Sequence, residues 1–84
     1  MPIKRRDLVR KVCRFGGWED AARGKGGDRL LMRKDPANER AVLRYPLGFH
    51  GDNRDVVDSV VRAVRRRLRM TPLDGVSDEA WRDA

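Results

Sequence analysis

Residues 29–45 read RLLMRKDPANERAVLRY, and the fold turns on how this stretch is read. Asp35-Pro36-Ala37-Asn38 at its centre is a turn by composition, because proline fixes φ while Asp and Asn side chains bond back onto the local backbone. Before it, Arg29-Leu30-Leu31-Met32-Arg33 is a short apolar run; after it, residues 40–45 alternate Ala41, Leu43 and Tyr45 with Arg40, Val42 and Arg44. A period of two marks a half-buried strand, so the stretch reads as a hairpin. Upstream, Gly24-Lys25-Gly26-Gly27-Asp28 is a second turn, and it converts Trp18–Arg23 into a preceding strand. That strand is argued from its flanks, since Glu, Asp and Ala have poor β propensity. Two hairpins in succession make a three-stranded antiparallel meander.

Helices flank it. Residues 4–15, KRRDLVRKVCRF, place Leu8, Val9, Val12 and Cys13 at helical spacing with basic residues opposite, and Gly16 and Gly17 follow as a stop. Beyond the loop PLGFHGDN, residues 46–53, the residues Val56, Val57, Val60, Val61, Val64 and Leu68 form the apolar stripe of a second helix. Valine is a weak helix former, so periodicity has to outweigh propensity and packing has to hold this helix. Asp52 or Asn53 serves as its cap, with Asp55 and Asp58 at the positive end and Arg65, Arg66, Arg67 and Arg69 at the negative end. Ser77 can cap one more helical turn, with Val76 and Trp81 at the two positions of a hydrophobic staple. The expected fold is α+β in the order α-β-β-β-α: a three-stranded antiparallel sheet with two helices on one face, plus a short C-terminal helical turn. At 84 residues, one domain spanning 1–84 is the expectation.

Charge narrows the function. Twenty Lys and Arg stand against 13 Asp and Glu, a formal charge of +7. Such an excess attracts polyanions, because each neutralised phosphate releases condensed counterions. Arginine outnumbers lysine, and its planar fork matches phosphate geometry in a bidentate way, which favours nucleic acid, RNA or DNA, over a merely solvated cationic surface; RNA is the partner expected. Cys13 is the single cysteine, which excludes an intramolecular disulfide and a cysteine-based zinc cluster and fits a reducing, cytoplasmic setting. With one histidine and no acidic triad at ligand spacing, no metal and no cofactor are expected. No apolar run approaches the roughly 20 residues of a membrane helix, so no membrane partner is expected either.

Four groups of residues are candidates for chemistry. His50 alone has an ordinary pKa between about 5 and 8, and it lies in a Gly-flanked loop; it reads as a general acid or base, or as a surface histidine that caps the second helix or packs on Phe49. Lys25 and Arg29 flank Gly26 and Gly27, where free backbone donors can hold a phosphate; the alternative is an ordinary hairpin turn. Arg62, Arg65, Arg66 and Arg69 fall at i, i+3, i+4 and i+7, on the side of the second helix away from the valines, and face either phosphates or solvent, with Asp58 able to pair with Arg62. Phe15, Trp18 and Trp81 lie beside apolar faces and read as core rather than as base-stacking platforms.

Taken in order, four segments carry a resemblance. They are KRRDLVRKVCRFGGW at 4–18, Gly24-Lys25-Gly26-Gly27-Asp28, Pro46-Leu47 followed by His50-Gly51, and Gly75-Val76-Ser77-Asp78-Glu79. They resemble, respectively, the opening helix, the Lys-Gly-Ser-His turn, the Pro-x-His-Gly segment and the closing segment of the HicA family of bacterial toxins. Gly48 and Phe49 stand as an insertion in the third. The resemblance implies the fold of double-stranded-RNA-binding domains and a metal-independent endoribonuclease, an mRNA interferase of a type II toxin–antitoxin system. It also implies a HicB-like antitoxin as partner. The family's catalytic histidine falls at Asp28, so Asp28 and His50 are the catalytic candidates. Exchanging His for Asp replaces a base of pKa about 6.5 by one of about 3.9. The alternative is therefore a catalytically inactive RNA-binding or antitoxin-binding module on the same fold.

Overall fold

The computed structural model describes residues 2–20, 28–48, 51 and 53–84, Asp28 by its backbone alone. In chain order the elements are β1 (Ile3–Lys4), α1 (Arg5–Arg14), β2 (Trp18–Asp20), β3 (Asp28–Asp35), β4 (Asn38–Gly48), β5 (Asp55–Val56), α2 (Asp58–Arg67), a 3-10 turn (Pro72–Asp74) and α3 (Asp78–Asp83). The chain is α+β, with β2, β3 and β4 forming a three-stranded antiparallel sheet in that order.

The central hairpin closes where its turn residues place it. Asp35 Oδ1 accepts from the Ala37 amide at 2.9 Å and Asn38 Oδ1 from the Arg40 amide at 3.2 Å. Beyond the turn the register sets Leu43 opposite Arg33, Tyr45 opposite Leu31 and Leu47 opposite Arg29. Paired residues share a face, and this face is the inner one: Leu31 and Leu47 are buried, and Leu43 and Tyr45 pack against the same core. β4 is longer than its alternation indicated, because Pro46, Leu47 and Gly48 continue the strand instead of opening a loop. β4 is an edge strand among the described residues, where a proline's missing N–H is tolerated.

Leu8 and Val12 of α1, Val64 of α2 and Leu68 just beyond it complete one cluster with that inner face, all four fully buried. Gly17 allows the approach of α1 to β3: a Cβ there would sit 2.5 Å from Val12 Cγ1 and 2.7 Å from the Met32 carbonyl. The second helix starts later than its valine stripe suggested. Its N-cap is Val57, not Asn53, and Asp52 lies outside the described residues. Val56 instead pairs with Ile3 and Asp55 with Lys4 in a two-stranded antiparallel sheet at the start of both helices. β-branched Val56 satisfies its backbone there while its side chain still reaches the core, which a helix could not improve. Trp18 also differs from expectation. It lies opposite Met32 on the outer face of the sheet and is 37% exposed.

The two helices end in the same backbone motif. At α1, the Gly16 amide donates to the Cys13 carbonyl and the Gly17 amide to Val12; at α2, the Arg69 amide donates to Arg66 and the Met70 amide to Arg65. Both motifs need a left-handed residue, which is Gly16 (φ 85°) in one and Arg69 (φ 55°) in the other. Arg33 reaches from β3 to both ends: Nε donates to the Phe15 carbonyl at 2.9 Å, and Nη1 to those of Leu68 at 3.0 Å and Arg69 at 2.9 Å. A fixed guanidinium thus neutralises the negative poles of two helices at once.

α3 closes the core as its staple indicated. Ser77 Oγ accepts from the Ala80 amide at 3.0 Å, and both Val76 and Trp81 are buried. Trp81 stacks on Phe15 with centroids 6.1 Å apart. Lys11 Nζ donates to the carbonyls of Trp81, Arg82 and Ala84 at 2.9 to 3.1 Å, tying α3 to α1. Burial, with the Arg10 charge adding to it, holds the Lys11 pKa below its ordinary value. No helix among the described residues is long and apolar enough to cross a membrane.

Candidate nucleic-acid interface

α2 buries Val64 and half-buries Val60 and Val61, and this orientation sets where its arginines go. Arg62 and Arg66 are one turn apart on the opposite side, exposed, with no side-chain hydrogen bond or ion pair to any described residue. Arg65, on the flank, turns inward. Its Nε donates to the Met70 carbonyl at 2.9 Å, Nη1 to Asp78 at 2.8 Å and Nη2 to the Val76 carbonyl at 3.4 Å, while the guanidinium lies 5.1 Å from the Trp81 ring centre. The side chain is only 13% exposed, so this arginine is a bolt between α2 and α3 rather than a phosphate ligand.

Arg67 occupies the other flank, with Nε on the Arg44 carbonyl of β4 at 3.2 Å. Arg69 follows the helix end, and its Nε lies 3.5 Å from Asp35. The i, i+3, i+4, i+7 set therefore does not form one stripe. Arg62 and Arg66 make a solvent-facing ridge; Arg67 and Arg69 line a shallow depression between α2 and β4, together with Arg66, Leu43, Ala63 and Asp74. Arg67 was legible in the sequence only as part of a basic helix end, because its role depends on which strand α2 packs against.

The Asp28 backbone lies toward the other end of the sheet. Backbone pairing sets Asp28 opposite Gly48, two residues before His50 in the chain. His50 and Lys25 themselves lie outside the described residues. Arg29 is a third exposed and approaches Glu19 at 3.7 Å, which engages it in the sheet. The residue that organises this end was not anticipated: Arg5 is 2% exposed, forms an ion pair with Glu19 and donates from Nε to the Gly48 carbonyl at 3.1 Å. Its own amide donates to the Arg54 carbonyl at 2.8 Å. One residue thus holds both chain ends that flank residues 49–53. The available signal was spacing, since Arg5, Leu8 and Val12 share one helical face.

Comparison of the chain with protein-family models, with curated proteins and with solved structures finds no match.

Proposed function

We propose that this protein binds RNA through the arginine ridge of α2 and acts as a HicA-like toxin of a type II toxin–antitoxin pair in the cytoplasm, on a fold of the double-stranded-RNA-binding-domain type. The observation that carries the RNA reading is the pair Arg62 and Arg66, exposed and without partners among the described residues in a chain of net charge +7. Guanidinium groups left uncommitted by folding retain all their donors for phosphate oxygens, and contacts of this kind bind backbone geometry rather than sequence. The order helix, three strands, helix and the motif order that resembles HicA support the toxin reading and a HicB-like antitoxin as partner.

Changing Arg62 and Arg66 together to Ala should weaken RNA binding and flatten the dependence of log affinity on log salt by about one unit per lost phosphate contact. An unchanged slope places the RNA elsewhere.

A second reading, the catalytically inactive module, is favoured by a specific feature: Asp28 stands where the family has its histidine. Accepting the proton of a 2′-hydroxyl near neutral pH calls for a base with pKa near 7, and a carboxylate of about 3.9 is too weak for the task. Asp28→His should therefore raise RNA cleavage, or growth arrest on expression, with His50→Ala abolishing whatever cleavage is present. No gain from Asp28→His leaves the binding module as the function.

A further inference from the structure

Arg69 borders the depression between α2 and β4. Arg69 (φ 55°) is the only non-glycine residue among those described with positive φ. A left-handed arginine is strained where glycine is not, and the chain fills the equivalent position of α1 with Gly16. A backbone outlier that local sequence could remove is a pointer to a functional demand.

The surroundings specify the demand. Three guanidinium groups, Arg66, Arg67 and Arg69, line the depression against one carboxylate, Asp74, over Leu43 and Ala63. Asp74 is already engaged, its Oδ2 accepting from the Thr71 hydroxyl at 2.7 Å. Arg67 and Arg69 are each steered by Nε alone, to the Arg44 carbonyl and to Asp35, and their Nη1 and Nη2 groups have no partner among the described residues. The negative end of α2 should repel an anion, but most carbonyls there are engaged: those of Val64, Arg65 and Arg66 by the Leu68, Met70 and Arg69 amides, and those of Leu68 and Arg69 just beyond by Arg33. Had Arg69 been glycine, the turn would close equally well and the third cation would be missing.

We infer that this depression is a phosphate-binding groove and that Arg69 is retained in the left-handed conformation to complete it. The ligand class is a phosphoryl group flanked by an apolar moiety, as in a nucleic-acid backbone; assignment to RNA rests on the function proposed above, whereas the groove itself does not.

The test uses Arg69→Gly, which the backbone accepts. Its thermal midpoint should rise by roughly 2–5 °C, the relief of backbone strain outweighing the loss of the 3.5 Å contact to Asp35, whose mostly buried carboxylate keeps the Ala37 amide. Inorganic pyrophosphate at matched ionic strength should raise the midpoint of the unmodified protein and of Arg40→Ala, which removes one positive charge elsewhere. It should raise that of Arg69→Gly by less than half as much. RNA titrations of the same three proteins should show a salt slope lower by about one unit in Arg69→Gly only. Equal pyrophosphate stabilisation of Arg69→Gly and Arg40→Ala, or none of any of them, overturns the groove. If pyrophosphate binds as described but RNA does not, the groove stands and the RNA reading fails.

Discussion

Arg65 and Arg66 are neighbours in the chain with opposite uses. About 100° of helix rotation separates them, which turns Arg66 to solvent and Arg65 over Trp81. Nothing local distinguishes the two, since both follow Val64 in a run of three arginines; the difference is made by α3 docking on one flank. Arg65→Ala should accordingly lower stability by about 2–3 kcal/mol in urea unfolding, because it strips three acceptors of a charged donor and uncovers an aromatic face. Arg66→Ala should stay within about 0.5 kcal/mol of the unmodified protein. Equal losses in the two variants would contradict the inward course of Arg65. Arg5 and Arg33 teach the same lesson: one lies in the basic start of a helix and the other ends a short apolar run, and each is spent inside the fold, on Glu19 and Gly48 or on two helix ends.

At the scale of elements, the stop of α1 was legible because its chemistry is local, whereas the left-handed Arg69 that ends α2 carries no such signal. Gly16 and Gly17 end α1 for different reasons, one needing a left-handed φ and the other a close approach to β3. Nothing lies within 4 Å of a Cβ at Gly16, so Gly16→Ala should cost only about 1 kcal/mol of backbone strain. Gly17→Ala sets a methyl against Val12 and the Met32 carbonyl and should cost more, about 2–3 kcal/mol, by pushing α1 off the sheet. Denaturant midpoints of the two variants check the order, and a reversed order would contradict the packing of α1 on β3. The start of α2 was not legible. A valine stripe satisfies helix and strand alike, and the choice at Val56 fell to β1, a partner more than 50 residues away in the chain. The exposed position of Trp18 is likewise a matter of register, since a shift of one residue along β2 would bury it.

For the molecule as a whole, a charge of +7 makes folding and the proposed binding respond to salt in opposite directions. Raising sodium chloride from about 0.05 to 0.5 M screens self-repulsion and should raise the thermal midpoint by a few degrees, while RNA affinity falls steeply over the same range. A midpoint that falls with salt would mean that ion pairs such as Arg5–Glu19 and Arg65–Asp78 outweigh net repulsion. By itself, the sequence determined the α+β class, the central hairpin, the staple of α3 and the net positive charge. These follow from period-two and helical patterning, turn chemistry and composition, all of which act over a few residues or over the entire chain. Tertiary structure alone decided which arginines remain available. Helix rotation, the strand that α2 faces and the burial of Arg5 depend on contacts between residues distant in sequence. A guanidinium whose donors are engaged inside the fold, as that of Arg65 is on Met70, Asp78 and Val76, has fewer left for a phosphate than one held by Nε alone.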